Sequence, residues 1–101
     1  MLDVHVHVHG IEETRLILNG VLSAATTEAL RAHLDRHLAG NGIERLVIDL
    51  AQVRRIEATG VQLLLRATRA AALRGVALQL RSAPPPLRQA IAEHGIADLP
   101  H

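Results

Sequence analysis

The sequence has 101 residues, of which 49% are hydrophobic and 21% charged, and its formal net charge is +1. This is about one domain's worth of ordinary globular composition, and its acidic residues are interleaved with the arginines, which excludes a dense basic stripe for nucleic acid. The absence of aromatic residues removes the stacking platforms of single-strand binders, and the absence of cysteine excludes disulfides and Cys-ligated metals.

The chain has no feature typical of export or membrane insertion. No apolar stretch approaches the roughly 20 residues that a membrane span needs, and the N-terminal run does not resemble a signal peptide. We therefore expect one cytoplasmic domain over residues 1–101, without a membrane span and without a cofactor.

The first half of the chain predicts a hairpin followed by a helix. Residues 4–9 alternate valine and histidine, which predicts a strand with valines on one face and histidines on the other. A turn from Gly10 to Glu13 leads to a second strand over 15–18, which Asn19-Gly20 ends. After a loop over 22–27, a helix carries a leucine every fourth residue and stops before a glycine-rich turn: Leu30, Leu34 and Leu38, then Gly40 to Gly42.

The second half predicts two further strand–helix units. Residues 43–50 are apolar at adjacent positions, typical of a strand buried on both faces, and 51–55 form a short polar connection. Asp49 on this strand is interpreted as a structural hydrogen-bond acceptor. The second helix starts at Ala58 or Thr59 and ends at Arg74. Its predicted apolar face consists of Val61, Leu64, Leu65, Thr68, Ala71 and Ala72.

A last strand and helix complete the pattern. Residues 76–81 alternate as a strand, and Pro84 to Pro86 then break the chain. The last of these prolines, Pro86, suits the first turn of a third helix, which uses Leu87, Ala90 and Ile91 and ends before Gly95. The order β-β-α-β-α-β-α predicts an α/β fold with a mixed sheet and right-handed crossovers in its parallel part.

In such a fold, sites form beyond the carboxyl ends of strands, which here points to the segment from Leu50 to Gly60. The free N–H groups of the second helix could hold an anion there, and Glu57 or Thr59 could cap it. On physical grounds alone, an ordinary capped helix start is the preferred interpretation.

Three stretches of the sequence resemble a known family. The first stretch resembles the signature region of STAS domains. It consists of Ile48-Asp49-Leu50, a six-residue spacer, Glu57-Ala58-Thr59-Gly60 and then Val61-Gln62-Leu63-Leu64-Leu65. Leu16 to Leu22 resembles the family's second strand and loop, and residues 74–96 resemble its tail. The resemblance implies a single STAS-like domain with a mixed sheet flanked by helices.

The resemblance also implies a function, with one departure. In the anti-sigma factor antagonists of this family, a serine after the signature aspartate is phosphorylated by a serine kinase that is also the anti-sigma factor. Here Glu57 replaces that aspartate, Ala58 replaces the serine, and Ser23 replaces a loop aspartate of the same surface. Alanine cannot accept a phosphoryl group. Thr59 is the remaining candidate for phosphorylation, although as a cap its oxygen would point at the backbone.

We therefore expect a bacterial protein–protein interaction module with a degenerate phosphorylation site, acting in transcription regulation and not as an enzyme. Its expected partner is an anti-sigma factor with a serine kinase-like ATPase, or another switch protein. The expected partner-facing residues are Ser23, Glu57, Ala58, Thr59, Gly60, Gln62 and Arg66, with Arg54, Arg55 and Arg69 as a rim. Two alternatives remain open: an accessory subunit of an ABC-type phospholipid transporter, which would bind its ATPase, and a chemotaxis-linked STAS protein.

Two groups of histidines could in principle bind a metal. His5, His7 and His9 are about 7 Å apart along one strand, so their side chains run parallel and do not converge on one ion. We interpret them as a solvated strand face. His33 and His37 have the i, i+4 spacing of a helical chelate without an HExxH pattern, and we interpret them as an ordinary helix flank.

Overall fold

A computed structural model describes residues 2–9, 13–39 and 43–93. The predicted element order is confirmed, and the elements follow the chain as four strands and three helices in the described ranges. They are β1 (Leu2–His9), β2 (Glu13–Leu22), α1 (Thr27–Ala39), β3 (Arg45–Ile56), α2 (Ala58–Leu73), β4 (Ala77–Arg81) and α3 (Pro85–Glu93). Of the turn predicted from Gly10 to Glu13, only Glu13 is described, and it already belongs to β2. The predicted turn at Gly40 to Gly42 and the helix end before Gly95 lie outside the described residues.

The four strands form one mixed sheet in the order β1-β2-β3-β4. β1 pairs antiparallel with β2, as the predicted hairpin requires, whereas β2, β3 and β4 run parallel. Both parallel connections step in the same direction across the sheet, so right-handed crossovers place α1 and α2 on the same face. None of the described helices is long and apolar enough to cross a membrane.

One core lies between that face of the sheet and the helices. The leucines of α1, the apolar face of α2, and Leu87 and Ile91 of α3 join the inward side chains of β2, β3 and β4 in a single cluster. Val47 is also fully buried but lies outside this cluster, between Leu46 and Ile48 on the strand. Burial of three adjacent residues confirms that the middle of β3 is covered on both faces.

Two strands are longer than their side chains indicate. Residues 51–55 were predicted as a connection, but they continue β3 to Ile56, and β2 continues through Asn19-Gly20 to Leu22. β3 advances three residues, from Asp49 to Gln52, while its partner β2 advances two, from Ile17 to Asn19. The extra residue in β3 is a β-bulge. There the Asp49 carboxylate accepts the Ala51 N–H at 2.9 Å, as expected of a structural acceptor. Backbone pairing therefore extends a strand whose exposed side chains have no apolar pattern.

Two helices differ from their predicted faces or bounds. Ala72 is exposed, and the buried face of α2 includes Gly60 and Ala67 instead, because small residues allow the helix to approach the sheet closely. α3 begins at Pro85, so that proline, and not only Pro86, occupies the first turn.

Candidate functional site

The carboxyl ends of β2 and β3 lie side by side, and α1 and α2 begin just beyond them. Leu22 and Ile56 are the last paired residues of these two parallel strands. The Glu57 N–H then donates to the Leu22 carbonyl at 2.8 Å. This bond joins Glu57, which precedes α2, to Leu22, which precedes the Ser23 turn. The start of α2 and the Ser23 turn, the two predicted parts of the site, are therefore neighbours in the fold.

Gly60 seats the first turn of α2 on the end of β2. A Cβ at this position would stand 2.9 Å from the Leu22 Cβ and 3.1 Å from the Ile56 Cγ1. The Leu22 Cβ is fixed by its backbone and cannot swing away as a side-chain tip could. The glycine is buried, and its lack of a side chain permits this close approach.

The Ser23 turn is organised by Thr26, a residue that the sequence analysis did not single out. The Thr26 Oγ1 accepts the Ser23 N–H at 2.9 Å and donates to the Val21 carbonyl at 2.8 Å. The backbone N–H groups of Thr26 and Thr27 both donate to the Ser23 carbonyl. The signal in the sequence was a threonine just before a helix that begins at Thr27, which is a preferred position for such a residue.

The start of α2 differs from the predicted capped end. Glu57 is the N-cap residue by its extended backbone, but its side chain makes no capping hydrogen bond. Its carboxylate instead accepts a hydrogen bond from the Arg55 guanidinium at 2.8 Å. Thr59 lies inside the first turn of the helix and is exposed, so the prediction that it caps the helix with its oxygen toward the backbone was wrong. The residue with the extended backbone of an N-cap is Glu57, two positions earlier.

A row of exposed side chains runs from this start along the outer side of α2. Glu57 and Ser23 are half-buried at its base. The exposed members of the row are Ala58, Thr59, Gln62, Arg66 and Arg69. α2 contains no acidic residue, and neither arginine has an ion-pair partner within the described part of the chain. The row is therefore positively charged and free to contact another molecule.

The family comparison matches almost all of the sequence. The family model described as "Mlab, STAS domain" matches residues 8–101. The chain belongs to the STAS family. A comparison with curated proteins found no match.

Solved structures of three other proteins have a similar fold. The phosphorylated form of SpoIIAA, a cell fate determinant from Bacillus, superimposes with a TM-score of 0.80 at 17% identity, over 93% of this chain and 85% of that one. An anti-sigma factor antagonist from Mycobacterium paratuberculosis gives a TM-score of 0.78 at 20% identity, over 95% and 80%. The structure of Mglu gives 0.69 at 28% identity, covering 80% of this chain but 19% of that one.

The histidines in the described part of this STAS chain lie on β1 and α1, and none lies in α2. His5 and His7 are exposed on the edge strand β1, and the side chain of His9 lies outside the described residues. Within the described ranges, no group of three or more His, Asp or Glu side chains could hold a metal ion.

His33 and His37 lie half-buried on the flank of α1. The His33 Nδ1 and the His37 Nε2 are buried and accept or donate no hydrogen bond within the described residues. Burial lowers the pKa of His37, and the charges of His33 and Arg36 lower it further. The neutral imidazole is therefore the form that the folded STAS domain favours at this position.

Proposed function

We propose that this STAS domain is a regulatory protein–protein interaction module and acts by docking a partner, not by catalysis. The observation that carries the proposal is the exposed row from Ala58 to Arg66, placed beside the Ser23 turn by the bond between Glu57 and Leu22. The Ser23 turn and a helix face meet there at the end of the sheet, which favours a preformed contact surface. The expected anchors are Gln62 and Arg66, since both are long, exposed and unpaired within the described part.

We propose that this domain lacks the phosphorylation switch that is usual in the anti-sigma factor antagonists. Ala58 occupies the acceptor position and has no hydroxyl. Thr59 is exposed one residue later, and its hydroxyl makes no hydrogen bond within the described ranges, so a kinase could reach it. A phosphate there would add about two negative charges beside the arginine row and would reshape the contact.

The first candidate partner is an anti-sigma factor with a kinase-like ATPase domain. The likeness of the fold to SpoIIAA and to the mycobacterial antagonist supports this choice. The second candidate is the ATPase of an ABC-type phospholipid transporter. The exposed Thr59, which leads into the apolar run Leu63-Leu64-Leu65, favours it, because the STAS subunits of that group resemble this arrangement.

Binding to each candidate class tests the proposal. The ATPases of both classes encoded in the same genome are purified, and their affinity for the STAS domain is measured by biolayer interferometry. We expect one class to bind and Arg66→Glu to weaken that binding at least tenfold, on the order of the effect of losing a central interface arginine. Arg88→Glu on the exposed side of α3 is the matched control and should change the affinity less than about twofold.

Two outcomes would contradict it. If neither class binds, or if the two charge reversals weaken binding equally, the α2 surface is not the docking site.

A separate experiment tests the phosphorylation switch, by measuring the intact mass of the protein after incubation with cell extract and ATP. A phosphate that is lost in Thr59→Ala would show that regulation has moved to Thr59.

A further inference from the structure

β1 forms an unprotected edge of the sheet. It is eight residues long, and within the described ranges no strand pairs with its outer side. Sheet edges are usually protected by proline, charged side chains, a bulge or shortness. β1 has no proline and no bulge, and Asp3 at its start is its one carboxylate. β4, at the opposite edge, is the shorter strand, with five residues, and ends at Arg81. β1 is therefore the edge that is open to a further strand.

An apolar stripe runs along this open edge on the helix side of the sheet. Leu2 and Val4 pack partly against the core, whereas Val6 is 41% and Val8 69% exposed. These two valines and Leu73 are the exposed large hydrophobic residues of the described chain. The apolar layer thus begins inside the core and continues uncovered toward the end of β1.

The sequence of β1 is complementary to itself when read in the opposite direction. In one antiparallel register, His5 of one copy lies opposite His5 of the other. The numbers of any two paired residues then differ by an even number, so each pair joins side chains from the same face of the strand. It gives four kinds of cross-strand pair: Leu2 with Val8, Val4 with Val6, Asp3 with His7, and His5 with its own copy. The exposed valines of one chain would then lie beside the core-packed residues of the other, and a carboxylate would face an imidazole at both ends.

We propose that β1 is a self-association edge and that its occupant is the β1 strand of a second copy of this chain. Two copies related by a two-fold axis at His5 form one continuous eight-stranded sheet with all helices on the same side. Because both copies contribute the same β1 edge to this two-fold contact, the contact is used up in the dimer and does not grow into a fibre. This interface is separate from the start of α2, so it stands or falls independently of the proposed function.

Sedimentation velocity over a concentration series tests the dimer. We expect a monomer–dimer equilibrium with no larger species for the unmodified chain. The double variant Val6→Lys/Val8→Lys should raise the dimer dissociation constant at least about tenfold, because it removes the apolar contacts and sets like charges along the edge. Leu73→Lys is the matched control: it replaces the third exposed large hydrophobic residue, on α2, and should leave the dimer unchanged.

A single cysteine tests the register, because the chain has none of its own. Directly opposed residues on antiparallel strands have Cα atoms about 4.5–5.5 Å apart, within reach of a disulfide. His5→Cys should therefore form a cross-linked dimer on mild oxidation, whereas His7→Cys, which faces Asp3, should not. A chain that stays monomeric at all concentrations, or a dimer in which His5→Cys fails to cross-link, would overturn the proposal. Circular dichroism of each variant shows whether it is folded.

Discussion

Replacing Gly60 with alanine is the sharpest test of how the start of α2 is held. The new methyl group would lie 2.9 Å from the Leu22 Cβ and 3.1 Å from the Ile56 Cγ1, both inside normal contact distance. Leu22 is fully buried and its Cβ moves only with the backbone of β2. The first turn of the helix must therefore shift away from the strand, which strains the bond from Glu57 to the Leu22 carbonyl.

The expected size follows from two opposing terms. Overpacking a tight core position costs about 1–3 kcal/mol, whereas alanine gains up to about 1 kcal/mol over glycine in a helix interior and less in the first turn. The net loss in the free energy of unfolding should be about 1–2 kcal/mol. For a domain of this size, that lowers the Tm by about 5–15 °C.

Thermal and urea unfolding, followed by circular dichroism, measure this loss. Thr59→Ala is the matched control, because it changes the preceding residue of the same helical turn at an exposed position. It should alter the free energy of unfolding by less than about 0.5 kcal/mol. A Gly60→Ala variant with the Tm of the parent protein or above would refute the close approach of α2 to β2.

Substitutions at three further positions probe the surrounding structure. Thr26→Ala removes the two hydrogen bonds between the Thr26 hydroxyl and the backbone, from the Ser23 N–H and to the Val21 carbonyl. It should cost about 1–2 kcal/mol in urea unfolding, whereas Thr26→Ser should restore most of this loss. Gly75→Ala should cost about 1 kcal/mol because the residue has φ +73° at the end of α2 with open space around it, and Gly75→Asn should cost less; equal losses would contradict this conformational origin. The lowered pKa of His37 means that the unfolded chain binds its proton more readily, so stability is full above the ordinary imidazole pKa and declines as the pH falls through the lowered one. His37→Gln should flatten that decline in urea titrations, and an unchanged slope would contradict the assignment.

The sequence predicted most of the fold because its hydrophobic periods are regular. The alternating residues of β1 and β4 and the leucine spacing of α1 each indicate one kind of element, and all three are confirmed. The middle of β3 was recognisable because Leu46, Val47 and Ile48 are apolar in succession, as a strand covered on both faces requires.

The ends of β2 and β3 were not predictable in the same way. Residues 51–55 have exposed or half-buried side chains, so nothing in their polarity distinguishes a strand from a loop. What keeps them in the sheet is backbone pairing with β2 across two register shifts. Hydrogen bonds of the main chain do not depend on side-chain polarity, and a bulge interrupts whatever alternation remains.

The signature segment combines two kinds of residue that its sequence does not separate. Gly60 and Val61 are buried and fix the position of α2, whereas Ala58, Thr59 and Gln62 are exposed and leave that position unchanged. A match to the family pattern at the buried positions therefore supports the fold. Under the proposed function, the exposed positions select the partner, and Ala58 is one of them. Substitutions in the exposed set should change affinity without changing stability, and substitutions at Gly60 should change both, which makes the two roles separable in one set of variants.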